Sequence, residues 1–136
     1  MIMEIVDKTI FNKTTLDGMV ICDGDIVYVF GDLKYGKKTF LNMIYCILCG
    51  RYTNENYNVE KIYSENDILF IPPNKRIEDL AIQSVYDKKI IIFESVINSI
   101  PINFINEARK NNITVFISTS LLNYKIDNSK EIKLVV

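Results

Sequence analysis

The chain has 136 residues, 16 Lys and Arg against 17 Asp and Glu, and a formal net charge of −1. Its apolar fraction of 49% and charged fraction of 24% are those of a folded globular domain. The near-neutral charge predicts no nucleic-acid partner, because such binding ordinarily needs a basic surplus. The chain has no histidine, which excludes imidazole catalysis and histidine-ligated metal sites.

No targeting or membrane-spanning segment is expected. Glu4 places a charge close to the N-terminus, where a signal peptide would continue into an apolar segment. The longest apolar stretch, residues 40–49, is far shorter than the roughly 20 residues that span a bilayer. We therefore expect a cytoplasmic protein that reaches a membrane only through a partner.

Short apolar runs alternate with segments of helical periodicity along most of the chain. Almost wholly apolar runs are typical of strands buried on both faces of a parallel sheet, and apolar residues spaced by three and four indicate helices. These patterns predict strands at residues 26–30, 68–71, 89–93, 114–117 and 132–136, and helices near residues 40–48, 77–87 and 101–108.

The first two dozen residues follow a different pattern. Residues 2–6 and 19–22 are predicted strands joined by a polar turn with no helix between them, which indicates an antiparallel β-unit before the parallel core. The sequence therefore predicts a single α/β domain over residues 1–136, with residues 1–24 as the β-unit and residues 25–136 as the α/β core.

A glycine-bounded loop follows the first buried strand. The sequence from Gly31 through Gly36 to Lys37 matches the pattern G-x-x-x-x-G-K. In this pattern backbone N–H groups surround phosphate oxygens, the lysine reaches the β- and γ-phosphates, and the helix N-terminus adds positive potential. Lys38 replaces the Ser or Thr that normally helps hold Mg²⁺, and Thr39 lies about 100° farther round the helix. The alternative interpretation is an ordinary strand-to-helix turn with solvated lysines.

The loop and its flanking strands resemble the nucleotide-binding domain of ABC ATPases, a family of P-loop NTPases. Residues 24–31 are similar to the segment leading into the Walker A loop, and residues 67–73 resemble the strand that ends at the Q-loop. Residues 80–86 look like the helix after the signature motif, residues 90–95 look like Walker B, and residues 114–120 resemble the H-loop strand. The resemblance implies a three-layer P-loop NTPase-like fold with a mainly parallel sheet, and ATP as the cofactor.

The chain also departs from the family pattern at the positions that matter for hydrolysis. Glu94 stands at the Walker B acid position, where aspartate is usual, and Ser95 stands where the catalytic glutamate is expected. Serine is not a general base at neutral pH. Ser120 replaces the H-loop histidine, and the segment between Pro73 and Lys89 is too short for the helical subdomain that carries the signature motif. The resemblance therefore implies a shortened, degenerate domain with no catalytic residue of its own.

Three further assignments keep an alternative. Phe11 lies where the family's adenine-stacking aromatic is found, but it is equally a core residue of the β-unit. Glu94 either serves as the Walker B-like acid or pairs with a lysine at the end of its strand. Lys38 is hypothesised to place a second cation where Mg²⁺ would otherwise sit, so no metal site of the usual kind is expected.

Structural roles are predicted for the cysteines and tyrosines around the first helix. Cys46 and Cys49 form a single C-x-x-C pair at a helix C-terminus, which favours buried thiols over a zinc or redox site. Tyr57 and Tyr63 fall in an asparagine-rich segment that indicates an exposed polar loop.

Two functions from different classes follow. The first is a degenerate ATP-binding protein, weak or inactive in hydrolysis alone, that acts as a subunit or regulator in a homo- or hetero-oligomer or beside a transmembrane transporter subunit. The second is a scaffold or interaction module that keeps the fold without the nucleotide. An active small P-loop kinase or NTPase is a third interpretation, which the missing Mg²⁺-binding hydroxyl disfavours.

Overall fold

The computed structural model describes residues 2–5, 19–31, 36–73, 85–96, 100–119 and 126–134. Within these ranges the chain forms eight strands, two α-helices and one short 3-10 helix. The elements in chain order are β1 (Met3–Ile5), β2 (Met19–Ile21), β3 (Ile26–Gly31), α1 (Lys37–Leu48), β4 (Tyr57–Val59), the 3-10 helix (Glu65–Asp67), β5 (Ile68–Ile71), β6 (Ile90–Val96), α2 (Ile102–Lys110), β7 (Thr114–Thr119) and β8 (Lys130–Leu134).

Five strands form a parallel sheet in the order β5-β6-β7-β3-β8. The predicted α/β class with a mainly parallel sheet is therefore confirmed. Strand β3 lies inside the sheet, where Val27 is in register with Phe116 of β7 and with Lys130 of β8. Strand β6 continues to Val96, past the predicted end at Phe93, so Glu94 lies within the strand.

The central strands are covered on both faces. Successive side chains of a strand point to opposite faces, and Ile92 and Phe116 pack in a cluster with α1 while Ile91 and Ile117 pack with α2. The chain runs from β3 through α1 to β5 and from β6 through α2 to β7, and these two connections run in opposite directions across the sheet. When two such connections have the same hand, their helices lie on opposite faces of the sheet. The near-continuous apolar runs of the sequence are explained by this double burial.

Helix α1 buries the apolar face that its periodicity predicts. It ends in a Schellman motif at Gly50, whose φ of 77° is in the left-handed region. The Gly50 N–H donates to the Ile47 carbonyl at 3.1 Å, and the Arg51 N–H donates to the Cys46 carbonyl at 2.8 Å. The buried residues predicted from the sequence are Phe40, Leu41, Ile44, Ile47 and Leu48, and all of them are buried.

Helix α2 begins directly after Pro101, as predicted, and buries Phe104, Ile105 and Ala108. Ile102 stands in the first turn of α2 and is 60% exposed. Most of the helix predicted near residues 77–87 lies outside the described residues; Val85 and Tyr86 are helical. Neither α1 nor α2 combines the length and the apolar character needed to span a bilayer.

A second, antiparallel sheet has the order β2-β1-β4. The pairing of β1 with β2 confirms the predicted antiparallel unit, and β4 adds a strand that follows α1 in the chain. The predicted polar loop after α1 is exposed at Tyr52 and Asn58, but Tyr57 and Tyr63 are buried, at 3% and 5% exposed. Tyr57 is in register with Ile5 of β1 and packs in the same cluster as α1, so the small sheet covers that helix.

Candidate functional site

Some of the predicted site residues lie at the carboxyl edge of the parallel sheet, at the end of β3, at the start of α1 and on β6. Strand β3 ends at Gly31 and β6 ends at Val96, with β7 lying between them. Ligands of parallel α/β sheets bind at this edge, where the loops after the strands gather. The strand that precedes the glycine loop and the strand that carries Glu94 therefore open onto the same edge.

The N-terminus of α1 lies at this edge and is strongly positive. Gly36 is its N-cap and has a φ of 84°, a left-handed conformation that favours glycine. No acidic residue stands in the first turn, which instead holds Lys37 and Lys38. Cations at the positive end of a helix dipole are unfavourable by about 0.3–1 kcal/mol each, so the sequence places both lysines against the local field. Residues 32–35 of the loop lie outside the described residues.

The three residues that begin α1 have different surroundings, because each is rotated about 100° from the one before it. Lys37 is buried, with 8% of the residue exposed. The Lys38 side chain is 76% exposed. Thr39 is also exposed. Lys37 is thus the residue of this turn that lies closest to the protein interior.

Lys38 forms an ion pair with Glu94, with 3.2 Å between Nζ and Oε1. Glu94 follows Ile92 by two positions and therefore faces the α1 side of the sheet, where its side chain is only 9% exposed. Oε1 is buried and accepts no hydrogen bond within the described part of the chain. The group that pairs with it is the Lys38 ammonium. A buried carboxylate in this state depends on a nearby cation, because desolvation disfavours its charged form.

The backbone of β6 is irregular at the position of Glu94. The parallel register with β7 shifts between Phe93 and Val96. Irregularities of this kind re-aim side chains and are frequent beside active sites.

Ser118 is a polar residue of this edge that was not predicted as a site residue. It lies on β7, is in register with Val29, and is 2% exposed. Because it follows Phe116 by two positions, it shares the α1 face with Glu94. Its face of β7 also holds the buried Thr114, so the alternation of the strand does not distinguish this serine.

The remaining predicted site residues are not brought into this arrangement by the described structure. Phe11 and Ser120 lie outside the described residues. Ser95 belongs to β6 through its backbone, and its side chain is not described. The adenine-stacking role of Phe11 and the role of Ser95 stay predictions.

Cys46 and Cys49 are free thiols, and they are half-buried where buried thiols were predicted. Cys49 lies beside the Tyr45 phenol, whose pKa is raised by burial and then by a hydrogen bond with that thiol. Across the described ranges, no group of three or more Cys, Asp or Glu side chains is arranged to hold a metal ion.

No protein-family model matches the chain, and no curated protein matches it significantly either.

Proposed function

We propose that the chain is a P-loop-type nucleotide-binding protein, with ATP as the expected ligand, and that it does not hydrolyse the nucleotide on its own. The observation that carries the proposal is Lys37, which is buried in the first turn of a helix that starts from a left-handed glycine at the carboxyl edge of a parallel sheet. Buried strand, glycine turn and helix occur in the order that a phosphate loop requires.

The electrostatics of the first turn support a polyanionic ligand. Lys37 and Lys38 both oppose the helix dipole, and Glu94 contacts the exposed lysine of the two. A chain of phosphate groups would offset the unfavourable interaction of the two lysines with the helix dipole. It would bring several negative charges close to both the backbone N–H groups and the ammonium groups. Gly31 and Gly36 bound the loop that would surround those phosphates.

Hydrolysis is left out of the proposal for a chemical reason. The residue after Glu94 is Ser95, which is not a general base at neutral pH. Glu94 itself faces Lys38 rather than an open water site. The resemblance to ABC ATPases favours a subunit or regulator that works with a protein partner, including a transmembrane transporter subunit, and such a partner would supply any missing catalytic groups.

Thermal unfolding with increasing ATP tests the proposal. A ligand at 100 times its Kd stabilises the folded state by about 2.7 kcal/mol, so the wild-type melting temperature is expected to rise with ATP concentration. Lys37→Met keeps the length and apolar stem of the side chain but removes the ammonium group, and it is expected to weaken binding by about tenfold or more, which is 1.4 kcal/mol.

Lys110→Met is the matched control, because Lys110 is exposed at the far end of α2 and the variant removes the same charge. It is expected to bind ATP like the wild type. Equal ATP affinity in Lys37→Met and the wild type would overturn the proposal. The absence of any thermal shift at millimolar ATP would also overturn it, in favour of a scaffold that keeps the fold without a ligand.

A further inference from the structure

We infer that Lys38 takes the place of a divalent cation, so that the site binds its phosphate ligand without metal. This inference rests on the proposed function and specifies the charge balance of that same site. The observation behind it is the ion pair between the Lys38 ammonium and the buried Glu94 carboxylate at 3.2 Å.

In a phosphate loop that uses Mg²⁺, a hydroxyl after the lysine and an acid at the end of a neighbouring strand help hold the metal. Here Lys38 stands at the hydroxyl position, and Glu94 stands at the acid position. The structure brings these two side chains into direct contact. The two groups that would otherwise share a metal ion thus compensate each other.

The chemistry of the two cations decides which of them the site accepts. Mg²⁺ demands near-octahedral oxygen ligands at 2.0–2.1 Å and keeps several of its waters. The ammonium of Lys38 supplies no lone pair for a metal and repels a second cation. It has three N–H groups, so it can stay paired with the Glu94 carboxylate and donate to a phosphate oxygen at the same time.

The exposures of the two partners fit this arrangement. Glu94 is held inside the protein with a side chain 9% exposed, whereas the Lys38 side chain is 76% exposed. The carboxylate therefore acts as a positioning residue, fixed on β6, that keeps the end of a long lysine beside the start of α1. The ammonium faces solvent on its other side, where a ligand phosphate enters.

Calorimetric titration with pyrophosphate and with ATP, each in EDTA and in excess Mg²⁺, tests the inference. The wild-type chain is expected to bind both ligands at least as tightly in EDTA as in Mg²⁺. Lys38→Ser, which puts a hydroxyl at this position, is expected to bind about tenfold more weakly in EDTA, and Mg²⁺ is expected to restore part of the affinity. Lys38→Arg keeps the charge and is the control that retains metal-free binding.

The possible failures are distinguishable. Wild-type binding that is lost in EDTA and present in Mg²⁺ would overturn the inference while leaving the proposed function intact. Metal-free binding by Lys38→Ser that equals the wild type would also overturn it, since Lys38 would then not contact the ligand. Absence of binding in both buffers would overturn the proposed function itself.

Discussion

The two edges of the parallel sheet differ in how their buried polar atoms are hydrogen-bonded. At the amino edge, the buried Thr114 hydroxyl accepts a hydrogen bond from the Gly24 N–H and donates one to the Cys22 carbonyl, each at 3.2 Å. At the carboxyl edge, the buried Glu94 Oε1 accepts no hydrogen bond within the described residues and faces a single exposed lysine. At one edge the buried polar atoms are satisfied by the backbone, and at the other a buried carboxylate is paired only with an exposed ammonium group.

The amino edge also ties the two sheets together. The Asp25 carboxylate accepts a hydrogen bond from the Cys22 N–H at 2.7 Å and pairs with the Lys130 ammonium at 2.6 Å. Lys130 in turn donates to the Val20 carbonyl at 2.6 Å. These contacts connect β2 of the small sheet with the starts of β3 and β8.

The difference separates stability from binding. Fully satisfied polar networks rigidify a fold, whereas partly satisfied ones are costly and are tolerated mainly where function requires them. We therefore expect substitutions at the amino edge to change the free energy of unfolding, and substitutions at the carboxyl edge to change ligand affinity.

Thr114→Val is expected to have the largest effect on stability. The variant leaves the Gly24 N–H and the Cys22 carbonyl without their buried partner, which lowers the free energy of unfolding by about 1–3 kcal/mol. Urea denaturation measures the loss. Thr114→Ser keeps the hydroxyl and is the control with the smaller loss; equal losses in the two variants would show that the hydroxyl does not stabilise this edge.

Gly24→Ala is expected to cause the second-largest loss in the free energy of unfolding, after Thr114→Val. Gly24 has a φ of 85°, and an added Cβ would lie 3.4 Å from the Asn112 backbone. Left-handed backbone costs a residue with a Cβ about 1–2 kcal/mol, and thermal unfolding should show a loss of that size. An unchanged melting temperature would mean that this turn relaxes freely, contrary to a rigid amino edge.

A smaller effect on stability is expected for Tyr63 near the same edge, and only at high pH. Burial raises the pKa of Tyr63, and the charges of Asp23 and Asp67, which precede β3 and β5, raise it further. A raised pKa means that folding favours the neutral phenol, so its contribution is fully present below about pH 10 and is lost as the pH rises through the folded-state pKa. Urea midpoints measured above pH 10 should fall less steeply in Tyr63→Phe than in the wild type; identical slopes would contradict this account.

Glu94→Gln should have the smallest effect on stability. The amide keeps the size of the side chain and removes a buried charge, while Lys38, which is 76% exposed, remains in water at no cost. The free energy of unfolding should therefore stay within about 1 kcal/mol of the wild type, as for other pairs with an exposed partner. A loss as large as that of Thr114→Val would make Glu94 a structural residue and remove the contrast between the edges.

Local patterns in the sequence predicted the elements that pack against their chain neighbours. The buried face of α1 and the strands β3 and β5 follow from apolar spacing alone, since double burial leaves a continuous apolar run. Strand β4 was missed because Tyr57–Val59 is too short to show a period, and its pairing with β1 bridges distant parts of the chain.

The candidate site was predicted as separate residues and not as an arrangement. The pattern around Gly36 and Lys37 identified the turn, and the resemblance of residues 90–95 to Walker B identified Glu94. The contact between Lys38 and Glu94 joins the start of α1 to β6, two elements far apart in the chain, and such a contact does not appear in a local pattern. Ser118 went unrecognised because a single buried serine has no spacing to distinguish it.

The most direct test of the contrast is to follow backbone amide signals by NMR while ATP is added in EDTA. We expect the amides of Gly36, Lys37 and Lys38 to shift most, together with that of Glu94, while those of Gly24 and Thr114 stay unchanged. Shifts concentrated at the amino edge, or none at millimolar ATP, would contradict the assignment of the carboxyl edge as the phosphate-binding site.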